Sequence, residues 1–214
     1  MLDRFVLPLV RPPLQVVARG LVRAGVGANA LTWSGFAIGL AGALLITHGA
    51  FGSALLAIAV SRLCDALDGM VARLRRPTDL GGFLDITLDF VFYASIPLAF
   101  ALADPLTNAL AAAVVLAAFV GTASSFLAFA VLAEKRGMHS LNYPGKSFYF
   151  LGGLTEGTET LGFFAFACAW PQHFAPLAYG FATLCAFTLI SRVRWGVQAF
   201  SEPMPSEAEV RRHE

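Results

Sequence analysis

Long apolar stretches, interrupted by short polar ones, run from residue 31 to residue 197. A helix that crosses a bilayer needs about 20 mostly apolar residues. Six windows reach or nearly reach this length, and the first and fourth have cores without charge. The windows are 31–50, 53–74, 81–103, 107–133, 147–170 and 174–197. The pattern predicts an all-α integral membrane protein with six transmembrane helices.

The segment before the first window has a different pattern. Residues 14–26 mix Val, Leu and Ala with Arg19 and Arg23, which predicts an amphipathic helix lying flat at the membrane interface. An irregular basic leader is the alternative. We therefore expect a cytoplasmic or interfacial segment at 1–28, a six-helix domain at 29–200 and a charged cytoplasmic tail at 201–214.

The basic residues indicate an orientation. Of the 15 Lys and Arg residues, all but Arg62 fall before window one, at or after the end of window two, between windows four and five, or near or after the end of window six. Cytoplasmic loops are enriched in Lys and Arg. With six spans these positions lie on one side, so both termini are predicted to be cytoplasmic, in a pattern that suits a bacterial inner membrane.

Composition agrees with a membrane protein. The chain is 57% hydrophobic and 14% charged, whereas soluble domains have about 25% charged residues. Its net charge of +1 gives no support to nucleic-acid binding. The three cysteines lie in apolar stretches without a C-x-x-C pair, which favours buried apolar roles over a metal or redox site.

Carboxylates inside the predicted spans are the main candidates for chemistry, because a charge within a bilayer is costly and usually functional or paired. Asp65 and Asp68 fall within ~60° on one helix face, and Asp85 and Asp89 share a face at a spacing of four. Glu156 and Glu159 lie in the fifth window.

The four aspartates are predicted to meet just inside the cytoplasmic surface. Asp68 precedes Arg76 by ~12 Å of helix, and Asp85 follows Asp79 by ~9 Å, on two consecutive spans of opposite direction. Clustered carboxylates repel unless they are protonated or bridged by cations, and Mg²⁺ binds carboxylates together with substrate phosphates. The alternative is helix packing, with the acids held by Arg62 or Arg73.

The same residues form a spaced motif. It reads Asp65-x-x-Asp68-Gly69-x-x-Ala72-Arg73 followed by Gly81-x-x-x-Asp85-x-x-x-Asp89. This resembles the signature of the CDP-alcohol phosphatidyltransferase family. One departure is that seven residues, rather than the family's common eight, separate Arg73 from Gly81. The difference falls in a turn, where changes of length are tolerated best, and concerns nucleotide contacts more than the metal site.

The resemblance implies a reaction and its residues. A phosphatidyl-type group would pass from CDP-diacylglycerol to an alcohol, with release of CMP, in phospholipid biosynthesis. Asp65, Asp68, Asp85 and Asp89 would hold two Mg²⁺ or Mn²⁺ ions, and Asp89 would also be the general base. The residues implied at the CDP moiety are Asn29, Thr32, Gly69, Arg73 and Thr78. Asn29 is equally a candidate helix N-cap. The family often forms homodimers, so a homodimer is expected.

The acceptor stays open between two chemistries. Lys146 and Arg192, with other basic residues of the cytoplasmic loops, would suit the phosphate of a phosphorylated polyol. Glu156 and Glu159 would instead suit a cationic amino alcohol, as in a CDP-amino alcohol phosphotransferase that uses diacylglycerol. The structural alternatives are polar helix packing for the acids and the positive-inside bias for the basic residues.

Two other functions compete with the transferase. A small cation- or proton-coupled transporter would also place carboxylates in spans, but the compact Asp-Gly-Ala-Arg motif argues against it. A catalytically inactive member acting as a scaffold is the third possibility. The retention of all four aspartates and Arg73 argues against that interpretation.

Overall fold

A computed structural model describes the backbone of residues 3–137 and 154–201, and side chains from residue 10 onward within those ranges. The described part is helical and contains no strand. The α-helices are α1 Asp3–Arg23, α2 Ala28–Thr47, α3 Phe51–Leu74, α4 Asp79–Ala103, α5 Pro105–Lys135, α6 Gly157–Ala169 and α7 Phe174–Phe200, with a 3₁₀ turn at Pro171–His173. The predicted all-α class is confirmed.

Four segments are long and apolar enough to cross a membrane: Ala28–Thr47, Asp79–Ala103, Pro105–Lys135 and Pro171–Phe200. The protein is therefore an integral membrane protein. Helix α3 has 24 residues but carries several charges, and α6 has 13 residues, or about 20 Å of helix. The predicted count of six spans stays a prediction, because part of the fifth window lies outside the described residues.

The fifth window, 147–170, is not one continuous helix, and its predicted start lies outside the described residues. Residues 154–156 are not helical, and α6 begins at Gly157. Glu156 is the N-cap of α6 and forms a reciprocal capping box with Glu159. The Thr188 hydroxyl of α7 accepts hydrogen bonds from the backbone N–H groups of Leu154 and Thr155, each at 3.1 Å. These bonds satisfy the turn's N–H groups outside a helix, so the helix need not extend to them.

An aromatic core occupies the end of the bundle away from the carboxylates. Phe92 and Phe100 of α4 are fully buried together with Phe164 of α6 and Phe174. The rings of Phe100 and Phe174 stack with their centroids 4.4 Å apart. Because Phe92 follows Asp89 by less than one helical turn, α4 passes directly from the polar site into this core.

Two close helix contacts position the site. Ala18 of α1 is fully buried in a small cluster with Leu67, Met70 and Val71 of α3. Helix α2 lies against α3 at Gly35, where an added Cβ would be 2.9 Å from Cys64 Cβ. The glycine therefore lets the two backbones approach. The helix predicted at 14–26 is observed as the longer α1, while its place at the membrane interface stays a prediction.

Candidate active site

Three of the predicted carboxylates form a compact cluster. Asp65 and Asp68 lie on α3 and Asp85 on α4, and one carboxylate oxygen from each lies within 4.8 Å of the others. The spacing of three in α3 places its two acids on one face, and the turn at 75–78 returns the chain so that α4 faces them. The predicted convergence of the two helices is therefore observed for these three residues.

The cluster fits a hard divalent cation. Asp68 is 4% exposed, and its Oδ2 atom is buried without a hydrogen-bond partner among the described residues. A buried carboxylate oxygen without a donor is unfavourable unless a cation satisfies it. Three oxygens at such separations offer the donor set that Mg²⁺ and Mn²⁺ prefer. These residues therefore suit a divalent metal site.

Asp89 has a different partner. Nη1 of Arg62 donates a hydrogen bond of 2.6 Å to Oδ1 of Asp89, and the same nitrogen lies 3.5 Å from Oδ1 of Asp65. The sequence indicated a pair between Arg62 and Asp65 as an alternative to a metal site. The structure contains that pair, and its shorter contact joins α3 to Asp89 on α4. The metal cluster and the ion pair thus share Asp65.

A cavity of about 650 Å³ opens beside the cluster. Asp68 and Asp85 lie in its wall. All five residues implied at the CDP moiety line the same cavity: Asn29, Thr32, Gly69, Arg73 and Thr78. The structure therefore brings together residues from three helices and one turn that are up to 56 positions apart in sequence (Asn29 to Asp85).

Small residues keep the mouth of this cavity open. A Cβ added at Gly81 would lie 3.1 Å from Thr78 Oγ1 and 3.3 Å from Asn29 Oδ1, and one at Gly69 would lie 3.3 Å from Arg73 Nη1. Thr78 also caps α4, since its hydroxyl accepts the N–H of Gly81 at 3.1 Å. Both glycines therefore leave room in front of polar groups that face the cavity.

The alternative cap role of Asn29 is wrong. The N-cap of α2 is Gly27, and Asn29 lies within the first turn of the helix. Its carboxamide therefore does not cap the helix and faces Gly81 in the cavity wall. The two roles depend on the exact first residue of α2, which is Ala28, and a sequence pattern does not define a helix start to within one or two residues.

Two of the residues predicted for the acceptor, Arg192 and Glu156, lie close enough to interact electrostatically, but none of the described ones lines the cavity. Glu156 and Glu159 form the capping box of α6, and neither is among the described residues that line the cavity. Lys146 lies outside the described residues. Arg192 of α7 donates through Nη1 to the Thr122 carbonyl at 2.9 Å and lies 5.7 Å from the ring of Phe126, which lines the cavity.

Some cavity residues were missed from the sequence. Phe126 lies in the uniformly apolar α5, where nothing in the pattern marks one aromatic residue above another. Arg75 and Arg76 also line the cavity. Their position beside the motif was a signal, but they were assigned to the positive-inside bias. The cavity is thus lined by three arginines, which suits a phosphate-bearing ligand.

The family assignment follows from comparison with known proteins. Residues 26–192 match the family model described as CDP-alcohol phosphatidyltransferase. This range contains the carboxylate cluster, the ion pair and the whole described lining of the cavity. The chain belongs to the CDP-alcohol phosphatidyltransferase family.

Two curated relatives support the assignment. The chain is 49% identical over 193 residues to inner membrane protein YnjF of Escherichia coli (strain K12), covering 90% of this chain and 94% of the relative. It is 38% identical over 90 residues to archaetidylinositol phosphate synthase of Methanothermobacter thermautotrophicus, covering 42% of this chain and 44% of that protein. The first similarity supports an inner-membrane location.

Solved structures share the fold. The structure of Mycobacterium tuberculosis phosphatidylinositol phosphate synthase with CDP-DAG bound has a TM-score of 0.69 and 22% identity, covering 86% of this chain and 93% of that one. The same enzyme in complex with manganese and citrate also has a TM-score of 0.69 and 22% identity, covering 92% and 97%. At this identity the likeness concerns the fold.

Family membership confirms the predicted transferase class. This membrane protein is an enzyme of the type that transfers a phosphatidyl group from a CDP-activated lipid to an alcohol in phospholipid synthesis. The transporter alternative is not supported. A divalent metal site agrees with both the carboxylate cluster and the manganese in a protein of the same fold.

Proposed function

We propose that this enzyme transfers the phosphatidyl group of CDP-diacylglycerol to a phosphorylated polyol and releases CMP. The main support for the proposal is that the carboxylate cluster borders a cavity. All five residues that the family resemblance implies at the CDP moiety line this cavity. The donor is supported by the fold shared with a synthase solved with CDP-DAG bound. A lipid-linked nucleotide suits a site at one end of membrane-spanning helices.

The residues have separate roles in this proposal. Asp65, Asp68 and Asp85 would hold Mg²⁺ or Mn²⁺, and the two-cation arrangement with Asp89 as a further ligand stays a prediction. The chemistry supplied by such cations is neutralisation of the phosphate charge that develops as CMP departs. Arg73 adds a fixed positive charge in the same cavity, and Gly69 leaves space for the nucleotide beside it.

The reaction is a displacement at phosphorus. The acceptor hydroxyl oxygen forms a bond to the phosphorus that bears diacylglycerol, and the bond from that phosphorus to the CMP oxygen breaks. CMP leaves with the electron pair. Asp89 accepts the hydroxyl proton, which makes the oxygen a better nucleophile. Asp89 is not among the described residues that line the larger cavity, but it borders a small pocket together with Thr32, Asp65 and Asp85, which supports a place beside the cluster.

The acceptor proposal depends on Arg192. Within the described residues, its Nε atom is buried and has no hydrogen-bond partner, while Nη1 is bound to the Thr122 carbonyl. A half-buried guanidinium with an unused, buried N–H donor is suited to an anion such as a phosphate ester. Glu156 and Glu159 are engaged in the capping box, and Glu156 also interacts with Arg192, so they support a cationic amino alcohol less well. Two similar proteins are named as synthases of archaetidylinositol phosphate and of phosphatidylinositol phosphate.

We further propose six spans with both termini in the cytoplasm and α1 lying at the interface. The support is the distribution of Lys and Arg together with the face of α1 that packs on α3. Adding α3 and the fifth window to the four long apolar segments gives the six. On this topology the carboxylate end of the bundle faces the cytoplasm, where water-soluble acceptors are found.

The test is CMP release by the purified protein in detergent with Mn²⁺ or Mg²⁺ and CDP-diacylglycerol. The acceptor panel contains glycerol 3-phosphate, inositol phosphate, inositol, glycerol, serine and ethanolamine, and Asp89→Asn is the impaired control. We expect release with a phosphorylated polyol and at least a roughly 100-fold loss in the variant. Release with the unphosphorylated polyols alone would reject the acceptor class, and no release with any acceptor would reject the donor.

A matched pair of variants tests the assignment of Arg192. Arg192→Gln removes the half-buried cation, and Arg194→Gln removes an exposed one two residues later on the same helix. We expect the first change to raise the acceptor KM about 10-fold or more and the second to leave it unchanged, because an ionic hydrogen bond to a phosphate contributes about 1.5–3 kcal/mol. An equal change of the acceptor KM in both variants would show that only the net charge of this region matters and that Arg192 does not bind the acceptor.

A further inference from the structure

We infer that Arg62, which lies outside the family motif, is a positioning residue that sets the orientation of Asp89 relative to the metal cluster. The inference rests on the proposed role of Asp89 as the base. Nη1 of Arg62 contacts Oδ1 of Asp89 at 2.6 Å and Oδ1 of Asp65 at 3.5 Å. One nitrogen therefore joins the proposed base on α4 to a cluster carboxylate on α3.

The guanidinium is itself held in place. Its side chain is 9% exposed, and its central carbon lies 4.1 Å from the centre of the Phe92 ring. Nη2 donates to the Ser61 hydroxyl at 3.3 Å. A surface arginine samples many rotamers, whereas this one lies on an aromatic ring at the edge of the buried core. Such a fixed group can impose an orientation on the carboxylate that it binds.

The contact also decides which oxygen of Asp89 is available. Arg62 engages Oδ1, so Oδ2 is the oxygen that accepts the proton from the acceptor hydroxyl. A carboxylate that rotates freely would present either oxygen in many directions, and a misplacement of about 1 Å can cost a factor of about 100 in rate. Arg62 also separates two carboxylates on neighbouring helices that would otherwise repel each other.

A purely structural role would be to neutralise a buried acid between two helices. This alternative predicts that Arg62→Met lowers the thermal midpoint, because it leaves the partly buried Asp89 carboxylate without its cation, and that kcat of the folded protein is little changed. Positioning predicts instead a loss of kcat in protein that stays folded, and this loss requires the Asp89 carboxylate. It also predicts that metal binding persists, because removing a positive charge beside Asp65 does not lower the affinity of the cluster for a cation.

The experiment is a double-mutant cycle in the full-length protein. Arg62→Met and Arg62→Lys are each made alone and with Asp89→Asn, and kcat and KM for CMP release are measured. Mn²⁺ binding is titrated by the electron paramagnetic resonance signal of the free ion, and the thermal midpoint of each variant is measured in detergent. We expect Arg62→Met to lower kcat about 100-fold with KM nearly unchanged, and Arg62→Lys to recover part of the loss because it keeps the charge but not the planar fork. Neither change should reduce activity further in the Asp89→Asn background.

Three outcomes would overturn the inference. These are a kcat within about threefold of wild type for both Arg62 variants, additive losses in the Asp89→Asn background, or Mn²⁺ binding weakened more than about 10-fold by Arg62→Met. If Arg62→Met does not fold, Arg62→Lys with its double mutant decides the same question. A wild-type protein that releases no CMP would instead reject the proposed function, and the inference with it, so the two failures are distinguishable.

Discussion

The two ends of the α3–α4 pair differ in their side chains: one contains clustered carboxylates and the other contains packed aromatic rings. At one end, Asp65, Asp68 and Asp85 place carboxylate oxygens within 4.8 Å of one another, and Asp68 and Asp85 border a cavity of about 650 Å³. At the other end, Phe100 is fully buried and stacks on the rings of Phe51 and Phe174. The first arrangement is repulsive without a ligand, whereas the second is stable by itself. The comparison indicates that the aromatic end stabilises the fold while the carboxylate end remains poised for a ligand.

The largest expected effect is on activity at the carboxylate end. Asp85→Asn removes one oxygen ligand from the cluster, and we expect CMP release to fall about 1,000-fold because a metal site of this kind supplies several kcal/mol to the transition state. The thermal midpoint without metal should stay the same or rise, since repulsion among the acids decreases. Asp79→Asn, at an exposed acid in the first turn of α4, is the control. A lower midpoint for Asp85→Asn would contradict the comparison.

The next largest effect is expected at the aromatic end, where a substitution should lower stability rather than activity. Phe100 is 1% exposed and stacks on the ring of Phe174 at 4.4 Å. We expect Phe100→Ala to lower the free energy of unfolding by about 3 kcal/mol because it leaves a cavity in a packed core. Leu102→Ala, at a position 61% exposed on the same helix, should change it little. Thermal unfolding in detergent measures both.

The kcat of folded Phe100→Ala protein provides a further test of whether the two ends are independent. Measured well below the unfolding transition, Phe100→Ala should retain a kcat close to that of the wild type. The reason is that its ring stacks on Phe51 and Phe174, and neither is among the described residues that line the cavity. A large loss of kcat without unfolding would show that the two ends are coupled through α4.

The smallest effect is expected at Gly35, where α2 packs against α3 beside the carboxylate end. A Cβ at position 35 would approach Cys64 Cβ to 2.9 Å and the Ser61 carbonyl oxygen to 3.1 Å, so Gly35→Ala must move α2 away from α3. We expect the KM for the CDP-linked donor to rise about 10-fold, because Asn29 and Thr32 on α2 line the cavity. Gly52→Ala, where nothing lies within 4 Å of the new Cβ, is the control. An unchanged donor KM would show that α2 does not define the nucleotide site.

Most of the fold and the centre of the site could be predicted from the sequence for identifiable reasons. Apolar windows marked α2, α4, α5 and α7 because a run of about 20 apolar residues is typical of a helix that crosses a bilayer. Helical spacing placed Asp65 with Asp68 on one face, and the short turn brought Asp85 to them. The start of α6 was missed because the Thr188 hydroxyl, 33 residues after Thr155, satisfies the turn. Periodicity contains no information about such a distant partner.

The order of residues by itself determined the helical class, the membrane environment, the family motif and the cluster of acids, since each depends on spacing within one helix or across one turn. Tertiary structure decided which partner each charge takes. Arg62 is three residues before Asp65, yet its shorter contact is to Asp89, 27 positions away. Arg192 lies against the ring of Phe126 of α5, which lines the cavity. The physical reason is that burial between helices makes each polar atom require a partner, and only the packed bundle determines which group is within reach.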